Sequence, residues 1–510
     1  MTHSNLFHVL KYRYILGLIV TLMLWPVLSL GQANGDNLDF QGIIFQSGSS
    51  VKALAYGKAY TSRVDGLNSI GFNMAGLSDV SDVMVNVSGR YNQTYWQENQ
   101  IWYPGSDYMN LSFYLEELYT LDPTYSGWWQ NDLIDSVWTP DDFREPVMGE
   151  GYYSEKAADW TREGTNQDLH NISAALPLKL GNRQVVFGAE YNRHSGIHDF
   201  DRNDTHLDPH FGTSRRITMD SGDTLAVDWS RFLRKRTGTL HDLTGGLAFS
   251  ITNAVRIGGG IRSVFGTTDD TQSLEKYGHF NFVIDEKDWM FAYDTLTTSI
   301  TGKSTIAGTQ PFFSTLLKFD HFHVGFNVAF PYELEREWTY TFRQVSPENE
   351  MEIPDSSGTD SVKLPGTYRL GLTLKPIDRL RFSLDVETTS YSNATYSREV
   401  PQTDSLTSYR ESLDQRSIRF GLEYQIADFL TLIGGYQNTT ALLIPYGVAI
   451  RDQGPPYDTY SVGASLSFGF GTFDVAYVTR TLKYYDAYYS NRNFTLKENQ
   501  QVLIGYSLKL

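Results

Sequence analysis

The chain has 510 residues, an aromatic content of 14%, 43 Gly and a formal net charge of −17 at pH 7. So acidic a chain disfavours nucleic acid as a partner, because phosphate binding needs a basic face. It contains no Cys, which excludes disulfides, thiolate metal sites, Cys catalysis and a lipid anchor on Cys. Rich in Gly and aromatics, the chain fits either a large secreted β-protein or an outer-membrane barrel.

The first 33 residues have the pattern of a secretory signal peptide. A charged region with Lys11 and Arg13 precedes an apolar core, and cleavage is predicted after Gly31 or Ala33. The alternative is an uncleaved signal anchor, which the length of the apolar core disfavours. We therefore predict an exported chain.

The next region, 34–81, contains a stretch rich in Gly and Ala at 51–79. Small side chains let backbone pack on backbone, and Gly permits tight turns. A segment that coils inside a confined space needs this composition. A loop-rich N-terminal subdomain of a soluble protein would share it, so the rest of the chain has to decide.

From residue 82 to the last residue, apolar and polar side chains alternate in short stretches. Alternation with period two predicts strands that have two different faces. Six hairpins, a first strand and a last strand make 14 strands in all. The predicted strands are 82–92; 167–177 and 184–194; 239–250 and 255–265; 309–319 and 322–331; 367–375 and 380–391; 415–425 and 430–439; 458–467 and 473–483; and 498–510.

The connections alternate in length along this series. Turns inside the hairpins are short, whereas the hairpins are joined by long segments, of which the first four are 93–166, 195–238, 266–308 and 332–366. Short turns at one end and long loops at the other are typical of a bacterial outer-membrane barrel. The long loops are then extracellular, and both chain ends lie on the periplasmic side.

Which face of each strand meets lipid is not settled by periodicity. A barrel places its apolar face outside, whereas a soluble β-sandwich places the same face inside. The even strand count, the signal peptide and the loop asymmetry favour the membrane. We predict an all-β fold: a transmembrane antiparallel β-barrel of about 14 strands over 82–510, with 34–81 as a hatch, or plug, inside its lumen.

Three segments resemble the FadL/TodX family of outer-membrane transporters for long-chain fatty acids and other hydrophobic compounds. Residues 56–77 are similar to the family's hatch signature, 364–385 to a late strand pair, and 416–480 to the last hairpins. Met74 stands where the family usually has Pro, and the chain ends on Leu510 rather than an aromatic residue. The matching hatch residues are Gly57, Ala59, Tyr60, Asn73, Ala75 and Gly76.

The resemblance implies a hatch-plugged barrel of 14 strands in the cell outer membrane, with outer-membrane lipid and a hydrophobic small molecule as partners. It also implies lateral release through a gap at a kink in the third strand, here 184–194. We expect that gap at Gly188, because a missing side chain weakens local pairing. The adjoining gate residues are Ala189, Glu190, Tyr191 and Asn192.

The first long connection, 93–166, holds six Trp and one helical pattern. Its aromatic surface offers a first landing place for an apolar ligand, or else it packs into a cap over the barrel mouth. The candidate capture residues are Leu111, Tyr114, Leu115, Leu118, Trp128 and Trp129. The second connection, 195–238, is rich in His and Asp, but the spacing fits no closed metal site and points to a solvated acidic loop.

Mixed charges on the polar strand faces indicate a network that holds a plug rather than catalytic pairs. No Ser-His-Asp set can be placed on the barrel, so we predict neither a catalytic site nor a cofactor. Passive uptake of hydrophobic compounds is the first functional hypothesis. The alternative is an accessory barrel of a protein-secretion or surface-attachment system, with a secreted or surface protein as partner, and a general porin is weaker.

Overall fold

The computed structural model describes residues 40, 42–43, 50–63, 66–102, 160–180, 183–207, 224–284, 287–292, 296–347, 349–397, 413–442, 455–488 and 491–510. Among these residues, none of the helices has the length and apolar character needed to cross a membrane. Helical elements are the short α-helix α1 (Val51–Ala55) and the 3-10 helices Gly66–Ser69, Met74–Asp79 and Tyr391–Asn393.

All other regular elements of the described residues are β-strands. They are β1 (Met84–Trp102), β2 (Trp160–Leu180), β3 (Arg183–Leu207), β4 (Thr224–Ser250), β5 (Val255–Ile284), β6 (Lys287–Ala292), β7 (Leu296–Lys318), β8 (Phe322–Ala329), β9 (Tyr332–Val345), β10 (Glu350–Leu364), β11 (Thr367–Ile377), β12 (Leu380–Thr389), β13 (Thr395–Ser397), β14 (Gln415–Ala427), β15 (Leu430–Thr440), β16 (Pro456–Phe468), β17 (Gly471–Tyr488) and β18 (Asn491–Lys509).

The strands close into one antiparallel barrel with 14 wall positions, which confirms the predicted barrel of about 14 strands. Four of these positions hold two strands in succession along the wall: β6 then β7, β8 then β9, β11 then β10, and β12 then β13. The break between β8 and β9 coincides with Pro331, because proline has no N–H for the ladder. β1 pairs with β18 from Met84 to Trp102 and so closes the barrel.

The strands run far beyond the predicted hairpins. β5 has 30 residues, whereas about 10 suffice to cross the hydrocarbon core. The expectation of a loop over 332–366 is wrong, because this segment is the antiparallel pair β9 and β10. The segments 93–166, 195–238 and 266–308 likewise begin and end in strand. We call this end of the barrel the extended-strand side.

The two faces of the wall are inverted relative to a soluble protein. On β12, Phe382 and Leu384 are exposed by 43% and 39%, whereas Ser383 and Asp385 between them are buried. The same alternation follows β14, with Phe420 outside and Arg419 inside. An apolar exterior around a polar interior is what a barrel in lipid requires, so the sandwich alternative is excluded.

Residues 50–63 and 66–80 lie inside the barrel. Helix α1 begins at Ser50, whose hydroxyl accepts a hydrogen bond from Ala53 N at 3.1 Å. Its apolar residues pack against inward side chains of the last strands, including Ile433 and Leu503. The following part of the segment packs against β2 to β4 through a second cluster. We call residues 50–63 and 66–80 the plug segment.

Candidate functional site

Inward-facing glycines form the seat of the plug segment. In the described part of the wall, nine glycines have an atom of the plug segment within 3.0 Å of the place where a Cβ would lie. For Gly435 that atom is the amide nitrogen of Gly57 at 2.0 Å, and for Gly421 it belongs to the ring of Tyr56 at 2.3 Å. The nine are Gly188, Gly246, Gly258, Gly325, Gly371, Gly421, Gly435, Gly463 and Gly505. Each comes from a different strand, so the segment touches the wall on most sides.

The residues of the hatch motif sit within this seat, and all six are buried. Asn73 joins the two halves of the plug segment to the wall. Its Nδ2 donates to the carbonyl oxygens of Thr61 and Thr315, at 2.7 and 2.9 Å, while its Oδ1 accepts from Ala75 N. Gly57 N donates to Ser461 Oγ at 3.1 Å. Met74, at the position of the usual Pro, starts a 3-10 helix and packs into the apolar cluster.

Buried charges fix the same segment to the wall. Arg63 makes two hydrogen bonds of 3.0 Å to the carboxylate of Glu423, which also accepts from Arg381 at 2.8 Å. Asp385 accepts from Thr61 N at 2.7 Å. Forked and charge-assisted bonds of this kind are the strong ones, and losing one partner leaves a buried charge. These charges therefore form a network that connects the plug segment to the wall.

Above the seat lies a cationic band, formed by Lys58, Arg369, Arg419 and Arg480. Glu387 lies among them and receives hydrogen bonds from both Arg369 and Arg419, and the charges of all four wall residues act on Lys58. Arg419 is 2% exposed, and within the described residues its Nε and Nη1 have no hydrogen-bond partner. Two arginines thus hold one carboxylate, with Lys58 close to them and Arg480 close to Lys58, an arrangement suited to an anionic group.

A cluster of packed apolar side chains, which we call the apolar compartment, adjoins this band. Its buried members come from the start of the described chain and from β4, β7, β9 and β10: Phe40, Ile43, Leu240, Ile306, Leu334, Val362 and Leu364. Tyr391 packs against the cluster and also lies within electrostatic reach of Glu387 and Arg369. Apolar and cationic surfaces therefore meet inside the lumen, on the extended-strand side of the plug segment.

The wall opens at one place between β2 and β3. Their ladder runs from Leu180 and Arg183 only to Asn171 and Asn192. Beyond that point β2 continues to pair with β1, and β3 with β4. A bulge in β2 at His170, where the β1–β2 register shifts, turns the two strands apart. We call this unpaired stretch the seam.

Side chains replace the ladder across the seam. Asn166 Nδ2 donates to the carbonyl oxygen of Ser195 at 2.8 Å, and Ser195 Oγ donates to Asp168 at 2.5 Å. Arg90 holds Asp168 in an ion pair of 3.0 Å. We call these four residues the seam clasp. Further along, Trp96 and Trp160 pack against Phe200, with ring centroids 5.8 and 5.5 Å apart.

The predicted gate residues lie next to the seam but do not form it. Gly188 pairs with Ala175 on one side and Gly246 on the other, so pairing is not weakened there. Its missing Cβ makes room for Leu77 of the plug segment instead. Ala189 and Tyr191 alternate with Glu190 and Asn192, and the latter two are buried and hydrogen-bonded to each other. The ladder ends directly after Asn192, set by the β2 bulge that strand alternation does not reveal.

Beyond the membrane, buried ion pairs stiffen the extended wall. Arg236 donates to Asp270 at 2.8 Å, and Tyr340 donates to the same carboxylate at 2.7 Å. Burial alone would raise the pKa of Asp270, but the Arg236 charge and these hydrogen bonds lower it to about 2. The carboxylate therefore stays ionised at neutral pH, and its stabilising effect is lost only as the pH falls towards that value.

Two further expectations from the sequence concern the long connections. The candidate capture residues at 111–118 and 128–129 lie outside the described residues. In the part of the chain that the structure describes, no three His, Asp or Glu side chains are grouped so as to hold a metal ion. The seat glycines were missed by sequence reasoning, although Gly371 and Gly421 stand on the polar face of their strands, where a side chain would be expected.

No protein-family model matches the chain, and no curated protein matches it either. Solved structures share its fold. A FadL homologue of Pseudomonas aeruginosa superimposes with a TM-score of 0.53 at 12% identity, covering 91% of this chain and 99% of its own. The Pseudomonas putida toluene transporter TodX has a TM-score of 0.51 at 12% identity, covering 92% of this chain and 100% of its own. The monoaromatic hydrocarbon channel CymD has a TM-score of 0.50 at 10% identity, covering 91% of this chain and 98% of its own. At such identities the likeness establishes the FadL/TodX fold.

Proposed function

We propose that this barrel serves in the outer membrane as a channel for passive uptake of hydrophobic compounds, long-chain fatty acids among them. The observation that carries the proposal is the seated plug segment. It packs in the lumen against nine wall glycines, and the apolar compartment lies on its extended-strand side. The names of the solved structures with this fold, a toluene transporter and a hydrocarbon channel, add support.

The proposed path begins at the apolar compartment. A ligand that replaces Phe40 or Ile43 there loses little, because it exchanges one apolar contact for another. Region 34–81 acts as the hatch and shifts locally, while the charged network around Glu423 keeps the plug segment attached. The ligand then leaves sideways through the seam into the bilayer, and the seam clasp has to open for each passage.

The cationic band extends the proposal to the head group of the ligand. A carboxylate head could bind Nη1 of Arg419 together with Lys58, since hydrogen bonds from charged donors to an ionised carboxylate are strong. The hydrocarbon tail would lie in the apolar compartment. A long-chain fatty acid should therefore be taken up better than the fatty alcohol of equal length, and Arg419→Gln should remove that preference without closing the channel.

A cysteine pair across the seam tests the lateral route. Because the chain has no Cys, the double variant Asn166→Cys/Ser195→Cys can be oxidised specifically; its wild-type side chains meet at 3.1 Å. In proteoliposomes, oxidation should abolish uptake of labelled palmitate, and reduction should restore it. The matched control is Asn171→Cys/Asn192→Cys, which bridges the last rung of the intact ladder and should keep uptake when oxidised. Full uptake through a completely cross-linked seam would refute the lateral route.

The accessory-barrel alternative draws on the extended strands, which rise well above the membrane and could dock a secreted or surface protein. Retention of a defined partner through purification, together with absent uptake of any hydrophobic compound, would favour it. A general porin fits less well, because the plug segment occupies the lumen.

A further inference from the structure

The lipid-facing wall carries a groove between β11 and β15. Its volume is about 480 Å³. Leu374, Phe382 and Leu422 form its sides, and the backbone of Gly434 forms part of its floor. Phe382 and Leu422 are both exposed by 43%, which places the groove on the outside of the barrel. It is separate from the lumen and from the proposed transport path.

Gly434 creates the depth of this groove. A Cβ there would meet no atom within 4 Å, whereas one on the adjacent Gly435 would collide with the plug segment. The cross-strand neighbours of Gly434 are the bulky Leu422 and Val462. Glycine inside a strand weakens it and often marks the close approach of a ligand. On the outer face of Gly434 none of the residues that the structure describes supplies such a group, so the space points to a molecule from the bilayer.

The end of the groove towards the extended-strand side is polar. Tyr436 Oη and Asn438 Nδ2 both donate to Asp458, at 2.7 and 2.9 Å. Arg416 is exposed on the neighbouring strand, in line with the outward residues Ile418 and Phe420. The outer surface therefore changes from apolar to charged along the direction of the groove.

The distance from Gly434 to Arg416 matches one leaflet. Leu422, the partner of Gly434, lies six positions after Arg416 on β14, which is about 20 Å at roughly 3.4 Å per residue. With a strand tilt of about 40°, this corresponds to about 15 Å along the membrane normal, half of a hydrocarbon core about 30 Å thick. Gly434 then lies near the bilayer centre, and Arg416 at the level of the headgroups.

We propose that the groove binds one acyl chain of a phosphorylated membrane lipid, whose phosphate is held by Arg416. The charge of Arg416 complements a phosphate, because guanidinium and phosphate form forked hydrogen bonds. The aromatic side chains of Phe382, Phe420 and Tyr436 line the chain's course. The site is a fixed lipid position on the wall, distinct from the lipid that surrounds the rest of the barrel.

Native mass spectrometry of the full-length mature protein in detergent tests the proposal, with dipalmitoyl phosphatidylglycerol as the probe. One lipid should remain bound to the parent protein. Gly434→Phe fills the groove and should weaken binding at least about tenfold. Arg416→Ser should weaken binding by about tenfold through the lost phosphate contact. Dipalmitoylglycerol, which has no phosphate, should bind the parent protein as weakly as the phosphorylated lipid binds Arg416→Ser.

The control for Gly434→Phe is Gly245→Phe, the same change at another wall glycine whose Cβ would meet no atom but which lies outside the groove. It should retain the lipid. Equal lipid binding by the two Phe variants would overturn the site, as would equal binding of the phosphorylated and neutral lipids. If Gly434→Phe fails to fold, Arg416→Ser decides alone. A parent that carries a second copy of itself on this face, and no lipid, would also refute the proposal.

Discussion

The substitution Gly435→Ala tests whether the plug segment depends on its glycine seat. A Cβ on Gly435 would lie 2.0 Å from Gly57 N, and ordinary contact begins at 3.4 Å, so the segment has to withdraw by about 1.4 Å. Overpacking of this kind costs about 1–3 kcal/mol. The hydrogen bond from Gly57 N to Ser461 Oγ would also be lost, at about 1 kcal/mol. Together these costs raise the unseated population by roughly 30-fold to 1,000-fold.

The assay is single-channel conductance in planar bilayers, supported by erythromycin sensitivity of cells that express the variant. Gly435→Ala should show frequent openings and greater sensitivity, because the interior wall is polar and an unplugged lumen conducts ions. The control is Gly434→Ala on the adjacent residue, where a Cβ would meet no atom within 4 Å. If the two variants conduct alike, and amide exchange in residues 53–61 stays as slow as in the parent, the seat does not depend on close contact.

Three further outcomes are expected. The mature protein should fractionate with the outer membrane and change gel mobility on boiling, and recovery as a soluble periplasmic protein would contradict the barrel. Protease added to intact cells should cut within 93–166 or 195–238 and spare the short turns, whereas cleavage confined to the turns would reverse the topology. Deletion of Lys52 to Leu77 should leave a barrel that inserts, since the wall hydrogen bonds run from strand to strand, but conductance should rise and selective uptake should be lost; unchanged impermeability and transport would refute the hatch.

The barrel itself could be predicted from the sequence because alternation is a local signal. Each wall strand shows it over the ten or so residues that cross the lipid, and the polar face is visible in residues such as Arg381 and Asp385. Strand length could not be predicted in the same way. Above the membrane the outward face is no longer apolar, as in Thr301, Lys303 and Thr305 of β7, so the contrast between faces fades although the ladder continues.

The seam and the seat depend on contacts between residues distant in sequence. Gly188 looks like a weak point when β3 is considered alone. Yet the space where its side chain would lie is filled by Leu77, more than 100 positions earlier in the chain. The actual interruption follows from a one-residue register shift between β1 and β2. Neither the Leu77 contact nor the register shift produces a periodic pattern in the sequence. Arg63 and Glu423, which anchor the plug segment across 360 residues, were visible separately but not as a pair.

The adjacent glycines of β15 make the inner and outer sites separable by experiment. Successive residues of a strand point to opposite faces, so Gly435 belongs to the seat and Gly434 to the lipid groove. Gly435→Ala should therefore raise conductance and keep the bound lipid, while Gly434→Phe should release the lipid and keep the channel closed. A slip of β15 by one residue would exchange the two faces, and each variant would then alter the measurement assigned to the other. Lipid loss in Gly435→Ala, or open channels in Gly434→Phe, would show that the sites are coupled through the wall and that the assignment of one role to each glycine is wrong.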